Sequence, residues 1–90
     1  MRIIYSSHAE EQLKERDISK QQINIILNQP QQVLAAKKGR KIAQSIVKLE
    51  RIEFLVRIIY IEKMDCYEVV TVYKTTKIKK YWREKNENSI

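Results

Sequence analysis

The sequence is poor in the residue types that build disulfide-stapled, zinc-binding and nucleotide-binding proteins. Cysteine, histidine, glycine and proline each occur only once among the 90 residues. A single cysteine excludes a disulfide-stapled secreted domain, and together with a single histidine it excludes a cysteine-rich zinc site. A single glycine excludes the glycine-rich loops that hold phosphate groups. We therefore predict no metal, no cofactor and no ATP- or NAD-dependent chemistry.

Long apolar runs are missing as well. No segment approaches the roughly 20 apolar residues of a membrane-spanning helix, and residues 1–5 are too short for a signal peptide. We therefore expect a cytoplasmic protein in a reducing compartment, without a membrane partner. A chain of 90 residues makes one domain with one modest core, so any site should be a shallow cleft.

Positive charge is abundant and unevenly distributed. The chain carries 18 Lys and Arg against 11 Asp and Glu, a formal net charge of +7. Residues 1–30 are balanced, residues 31–62 carry seven basic and three acidic side chains, and residues 71–85 carry six basic side chains against one acidic. Such a one-sided field attracts phosphate backbones or an acidic protein partner. The alternative is a charged surface that only keeps the protein in solution.

Capping signals predict two helices in the first third of the chain. Ser7 is placed as the N-cap of a helix over residues 8–16. Ser19 begins a second helix, where Gln22 completes a capping box. Pro30 ends this helix, because the residue before a proline is pushed out of the helical region.

After the helices the apolar period changes to two, which is typical of strands. The predicted strands cover residues 32–36, 41–49, 53–62 and 67–75, with a further short edge strand considered at residues 3–5. Short turns between neighbours require an antiparallel arrangement. The predicted fold is α+β, with two N-terminal helices on one face of a four-stranded antiparallel sheet. It forms a single domain over residues 1–90, with a basic aromatic tail over residues 78–90.

His8 and Arg16 lie on one stripe of the first predicted helix, together with Ala9 and Leu13. Because the apolar members of this stripe must face the core, we expect Arg16 beside the core with an anionic partner. That partner is either a protein carboxylate, which makes the arginine structural, or a bound anion. His8 is suited to proton transfer near neutral pH.

The last two strands carry the other polar candidates. Arg57 interrupts an apolar strand, so it either points at a ligand from the uncovered sheet face or is paired. Thr71 and Tyr73 share one side of the last strand and can hydrogen-bond a phosphate or a ribose, whereas Lys74 lies on the other side. A slip of one residue in the register decides which side Arg57 joins.

The tail alternates cations with aromatic rings. Rings stack on unpaired bases while cations bind phosphates, which predicts a nucleic-acid-binding segment. The alternative is an amphipathic end whose rings dock on the core. The cations of the predicted nucleic-acid surface are Lys74, Lys77, Lys79, Lys80 and Arg83.

Four motifs in order resemble the domain-of-unknown-function 4258 family, over about residues 5–77. Within them the family's motif positions correspond to His8, Arg16, Thr71 and Tyr73, and Asp17 stands where the family usually has glycine. The motifs are Ser7-His8-Ala9, Glu15-Arg16-Asp17-Ile18, Asn28-Gln29-Pro30 and Val70-Thr71-Val72-Tyr73-Lys74-Thr75-Thr76-Lys77.

That family is similar to the small RelE- and BrnT-like ribonuclease toxins, by analogy at the level of the fold. The resemblance implies cleavage of RNA without metal, in a protein held inactive by an antitoxin. His8 would be the base or acid, Arg16 with Arg57 or Lys74 would stabilise charge, and Thr71 or Tyr73 would position the phosphate.

Two other functions are left open. One is a non-catalytic module that binds nucleic acid or protein through the same surface. The other is a structural partner protein, including a homodimer, that makes contact through the sheet face or through Ile25 on the far side of the second helix.

Overall fold

In the computed structural model, described over residues 2–84, the chain is an α+β fold, which confirms the predicted class. Residues 85–90 of the predicted tail lie outside the described residues. No helix within residues 2–84 is long and apolar enough to cross a membrane. In chain order the elements are β1 (Arg2–Tyr5), α1 (Ser7–Glu15), α2 (Lys20–Asn28), β2 (Gln32–Ala35), β3 (Lys41–Leu49), β4 (Ile52–Glu62), β5 (Cys66–Thr75) and α3 (Ile78–Tyr81).

The sheet has five strands in the order β1-β5-β4-β3-β2. Strands β2 to β5 form the predicted antiparallel meander, but the prediction of a four-stranded, purely antiparallel sheet is wrong. Strand β1 joins the sheet edge parallel to β5, with Ile3 opposite Tyr67. A parallel pair needs a long connection between its strands, and here residues 6–65 supply it.

Each N-terminal helix begins with a serine cap. The N-cap of α1 is Ser6, one residue before the predicted one, and its Oγ accepts from the backbone N–H of Ala9 at 3.0 Å. The same hydroxyl donates to the carbonyl of Val70 at 3.1 Å, so the cap also ties α1 to β5. The predicted capping box of α2, Ser19 with Gln22, is confirmed.

The core lies between the two N-terminal helices and one side of the sheet, here called the helix face. The opposite side, here called the second face, carries the intervening residues of the strands. Among these, Leu55 and Gln44 are fully buried. The buried cluster of the helix face consists of Ala9, Leu13, Ile18, Ile23, Ile26, Leu27, Ala43, Val56, Ile58, Tyr60, Val69 and Val72.

A β-bulge in β5 settles the register of the last two strands. Ile59 pairs with Thr71 and Tyr60 with Val69, which leaves Val70 as an extra residue. A bulge adds one residue to one strand and so reverses the alternation of side chains beyond it. Thr71 therefore lies on the second face whereas Val69 lies in the core.

The same register brings Arg57 opposite Tyr73 on the second face. Lys74 pairs with the core residue Val56 and lies on the helix face. Its Nζ is 5.1 Å from the centroid of the Phe54 ring. Of the two predicted alternatives, Arg57 therefore joins Thr71 and Tyr73, and Lys74 is separated from it by the sheet.

The turn between β3 and β4 is formed by residue types that do not favour its backbone conformation. Glu50 and Arg51 have φ values of 48° and 73°, and Leu49 pairs with Ile52, so this is a two-residue turn with both residues in the left-handed region. Asn-Gly suits such turns far better than Glu-Arg. We expect the double substitution Glu50→Asn with Arg51→Gly to raise the free energy of unfolding by about 1 kcal/mol in urea denaturation.

The matched control for this prediction is Glu53→Asn, at an exposed position of β4 next to the turn. This change lies in extended backbone and should not stabilise the protein. A double variant that is no more stable than the parent protein would contradict the assigned turn.

Candidate anion site on the second sheet face

Arg57 is the centre of a polar cluster on the second face. Arg57 is only 9% exposed. Nε donates to Oε1 of Gln44 at 2.9 Å, and Nη1 donates to the hydroxyl of Tyr73 at 2.5 Å. These three residues are direct cross-strand neighbours on β3, β4 and β5. The sheet register therefore sets the cluster.

Arg57 has no carboxylate partner among residues 2–84. The ion pairs there join Lys20 to Glu10, Lys41 to Glu62 and Lys63 to Glu68.

The guanidinium of Arg57 still has donors to offer. It carries five N–H groups, and Nη2 makes no hydrogen bond to any described residue. No fully buried side-chain nitrogen or oxygen within residues 2–84 lacks a partner, so Nη2 must reach solvent. A buried cation without a counter-charge is costly, and a bound anion removes that cost. The arrangement is typical of an anion-binding arginine.

Residues 77–83, here called the strap, cross the second face at this point. The ring centroid of Tyr81 lies 4.3 Å from Cζ of Arg57, and the ring of Tyr73 lies 5.7 Å from it. Gln44 Nε2 donates to the carbonyl of Tyr81 at 3.2 Å. Gln32 donates to the carbonyl of Arg83 at 2.5 Å and accepts from its backbone N–H at 3.1 Å.

The amphipathic interpretation of the tail describes part of the strap, and the nucleic-acid-binding interpretation stays a prediction. The ring of Tyr81 docks on the sheet, as the amphipathic alternative expects, and Trp82 is half-buried. The cations of the strap remain exposed, as a nucleic-acid-binding segment requires. These exposed side chains are Lys77, Lys79, Lys80 and Arg83.

A surface groove of about 610 Å³ lies beside the strap. Lys77, Lys79 and Lys80 line it, together with two apolar residues, Ile46 and Ile78, and one acidic residue, Glu53. Ile46 pairs with Leu55, two residues before Arg57 on β4. The groove therefore continues from the Arg57 cluster along the second face, and three lysines give it a positive potential.

His8 and Arg16 lie along the outer edge of β5 rather than on the second face. Gln12 Oε1 accepts from the backbone N–H of Val72 at 2.8 Å, where β1 no longer covers this edge. His8 precedes Gln12 by four residues and Arg16 follows it by four, each roughly 6 Å along the helix. His8 therefore lies near the start of the uncovered edge, at about the level of Val70.

Arg16 is exposed, so the expectation that it lies beside the core with an anionic partner is wrong. The reason is that Gln12, a buried residue 7% exposed, takes the inner position on this side of the helix. His8 is exposed as well. Both side chains are free to meet a ligand at the edge of β5.

The predicted catalytic residues thus form two groups, one on the second face and one along the outer edge of β5. Arg57, Thr71 and Tyr73 share the second face, and His8 and Arg16 follow the adjoining edge. The sequence reasoning missed Gln44 and Tyr81. A signal for Gln44 existed, because a glutamine between Ala43 and Ser45 interrupts a strand that is otherwise suited to burial. No residue near Gln44 in the sequence indicates its contact with Tyr81.

Within residues 2–84, no three His, Cys, Asp or Glu side chains are grouped as a metal site would require. Comparisons with protein-family models, curated proteins and solved structures gave no match to this chain. The resemblance to the domain-of-unknown-function 4258 family therefore stays a prediction from the motif residues.

Proposed function

We propose that the protein is a metal-independent RNA endonuclease of the small toxin type, with the scissile phosphate bound at Arg57. One observation carries the proposal most directly. Arg57 is a largely buried cation that has no carboxylate partner among the described residues, and one of its nitrogens is open to solvent. A planar guanidinium matches two phosphate oxygens.

The surroundings of Arg57 favour a polymeric anion over a small one. The exposed lysines of the strap, which also line the groove, extend positive charge away from Arg57. Lysines spaced along a groove bind successive phosphates of one strand. The hydroxyls of Thr71 and Tyr73, on the same side of β5, are placed to position a phosphate or a ribose.

The reaction needs no external reactant. The 2′-hydroxyl oxygen of RNA attacks the adjacent phosphorus, the bond from phosphorus to the 5′-oxygen breaks, and a 2′,3′-cyclic phosphate and a 5′-hydroxyl result. One proton leaves the 2′-hydroxyl and another reaches the 5′-oxygen. Arg57 stabilises the added negative charge on the phosphoryl oxygens. Tyr73, whose hydroxyl contacts Arg57, performs one proton transfer and water performs the other. His8 lies on the adjoining edge of β5, beyond hydrogen-bond reach of a phosphate at Arg57.

Arg16 and the basic strap have further roles, in binding RNA and in binding a partner protein. Arg16, exposed at the end of α1, binds a flanking phosphate from the edge of β5. A toxin of this kind needs an antitoxin, and the basic strap is suited to an acidic one.

We expect the purified full chain to cleave single-stranded RNA in the presence of EDTA and to leave 2′,3′-cyclic phosphate ends. DNA of the same sequence should stay intact, because it lacks the attacking hydroxyl. Tyr73→Phe, which removes only the hydroxyl, should lower the cleavage rate by about a hundredfold or more, the usual contribution of one proton-transfer group. Tyr67→Phe, the same change on the helix face of β5, is the matched control and should leave the rate unchanged.

The outcomes separate the candidate functions. RNA that is bound but stays uncut at micromolar protein would favour the non-catalytic binding module. RNA that is neither bound nor cut would remove both candidates. Cleavage that stops when EDTA is added would contradict the metal-independent reaction.

A further inference from the structure

The ring of Tyr81 occupies the position on Arg57 where a nucleobase would stack. Its centroid lies 4.3 Å from Cζ of the guanidinium, and it meets the ring of Tyr73 edge to face, with 6.2 Å between the centroids. Arginine stacks on bases as it does on aromatic side chains. The side of Arg57 that a nucleotide would approach is therefore covered by a residue of the protein itself.

The polar contacts of the strap are equally suited to a nucleotide. Gln44 and Gln32 hydrogen-bond peptide groups of the strap, namely the carbonyl of Tyr81 and both the carbonyl and the N–H of Arg83. Gln44 also donates to Gln32 and accepts from Arg57. Glutamine amides pair in the same way with the donors and acceptors on the edge of an unpaired base. The strap thus covers the stacking surface of Arg57 and hydrogen-bonds the amides of Gln44 and Gln32 at one place.

The strap is held much less firmly than the sheet beneath it. Its helix, α3, has four residues and none of them is buried. No ion pair among residues 2–84 involves the strap. Segments with few buried contacts open locally at a small fraction of the free energy of global unfolding. The strap can therefore leave the second face while the sheet stays folded.

We propose that the strap fills a nucleotide-binding site in the closed protein, and that single-stranded RNA enters by displacing Tyr81. A base then stacks on Arg57 in place of the tyrosine ring, and Gln44 and Gln32 hydrogen-bond its edge. This inference rests on the proposed function, since the same arginine receives the neighbouring phosphate. Only the open protein binds RNA. The apparent affinity is therefore the affinity of the open protein multiplied by the fraction of molecules in which the strap is open.

Binding to a 2′-O-methyl RNA oligonucleotide, which cannot be cleaved, tests the inference in the full chain. We expect Tyr81→Ala to bind a labelled single-stranded oligonucleotide about tenfold more tightly than the parent protein, as measured by fluorescence anisotropy. Met64→Ala is the control. It changes a fully exposed side chain in the turn between β4 and β5 and should leave the affinity unchanged.

Trp82 reports the strap directly, because it is the only tryptophan of the chain and follows Tyr81. Addition of the oligonucleotide to the parent protein should shift the Trp82 emission towards that of an exposed indole. Tyr81→Ala should show this shift before any RNA is added. Weaker or unchanged RNA binding by Tyr81→Ala would overturn the displacement and leave the proposed function standing. No RNA binding by either protein would overturn both.

Discussion

Replacing Arg57 with methionine and Gln44 with leucine is expected to stabilise the fold, to weaken RNA binding and to lower the cleavage rate. The two residues are 9% and 0% exposed, and Arg57 has no carboxylate partner among residues 2–84. Replacing a buried ionic group and its acceptor with apolar side chains of similar volume is often stabilising, here by about 1–2 kcal/mol in urea denaturation. The loss of the phosphate-binding guanidinium should lower cleavage by about a hundredfold or more.

Opposite effects on stability and activity are the signature of a residue retained for function. The matched control is Lys48→Met, which removes an exposed positive charge from β3. It should change neither the free energy of unfolding nor the cleavage rate by more than a small amount. A double variant destabilised by about 3 kcal/mol or more would instead make Arg57 a structural residue with an effective partner.

Truncation of Ile58 is expected to have the largest effect on stability. This residue is fully buried in the cluster between the sheet and the helices. Ile58→Ala should lower the free energy of unfolding by about 4 kcal/mol, because it removes buried methyl groups and leaves a cavity. A small domain has about 5–15 kcal/mol in total, so the variant should unfold at a much lower urea concentration.

Ile25→Ala is the matched control for this prediction. Ile25 lies on α2 and is 62% exposed, so its truncation should change the free energy of unfolding by no more than about 0.5 kcal/mol. Sedimentation of the same variant also tests the homodimer that was left open, since a dimer joined through Ile25 would weaken. An equal loss of stability in the two variants would contradict the assigned core.

Most of the secondary structure could be predicted because its signals are local. The capping box at Ser19 and the change of apolar period after Pro30 depend on neighbouring residues only. Strand β3 was predicted with the bounds that it has, Lys41–Leu49. The pairing of β1 could not be predicted, because four residues carry too little periodicity to name a partner at the other end of the chain.

Some residues of the candidate site could be predicted, but Gln44 and Tyr81 were not, and the arrangement could not be. Arg57, Thr71 and Tyr73 were named from residue type and alternation, yet their common face depends on the bulge at Val70. A bulge in a strand without glycine leaves no mark in the sequence. The docking of Tyr81 on Arg57 joins segments that are distant in sequence, and only the folded chain brings them together.

The parallel pairing of β1 with β5 also has a consequence for how the protein is made. Arg2 pairs with Cys66, so during synthesis β1 must wait for β5. At 5–20 residues per second, that delay is roughly 3–13 s. Strand β1 and the core face of α1, which docks on β5, remain uncovered during this time. The nascent chain therefore exposes the apolar residues of β1 and α1 to chaperones until β5 has been synthesised.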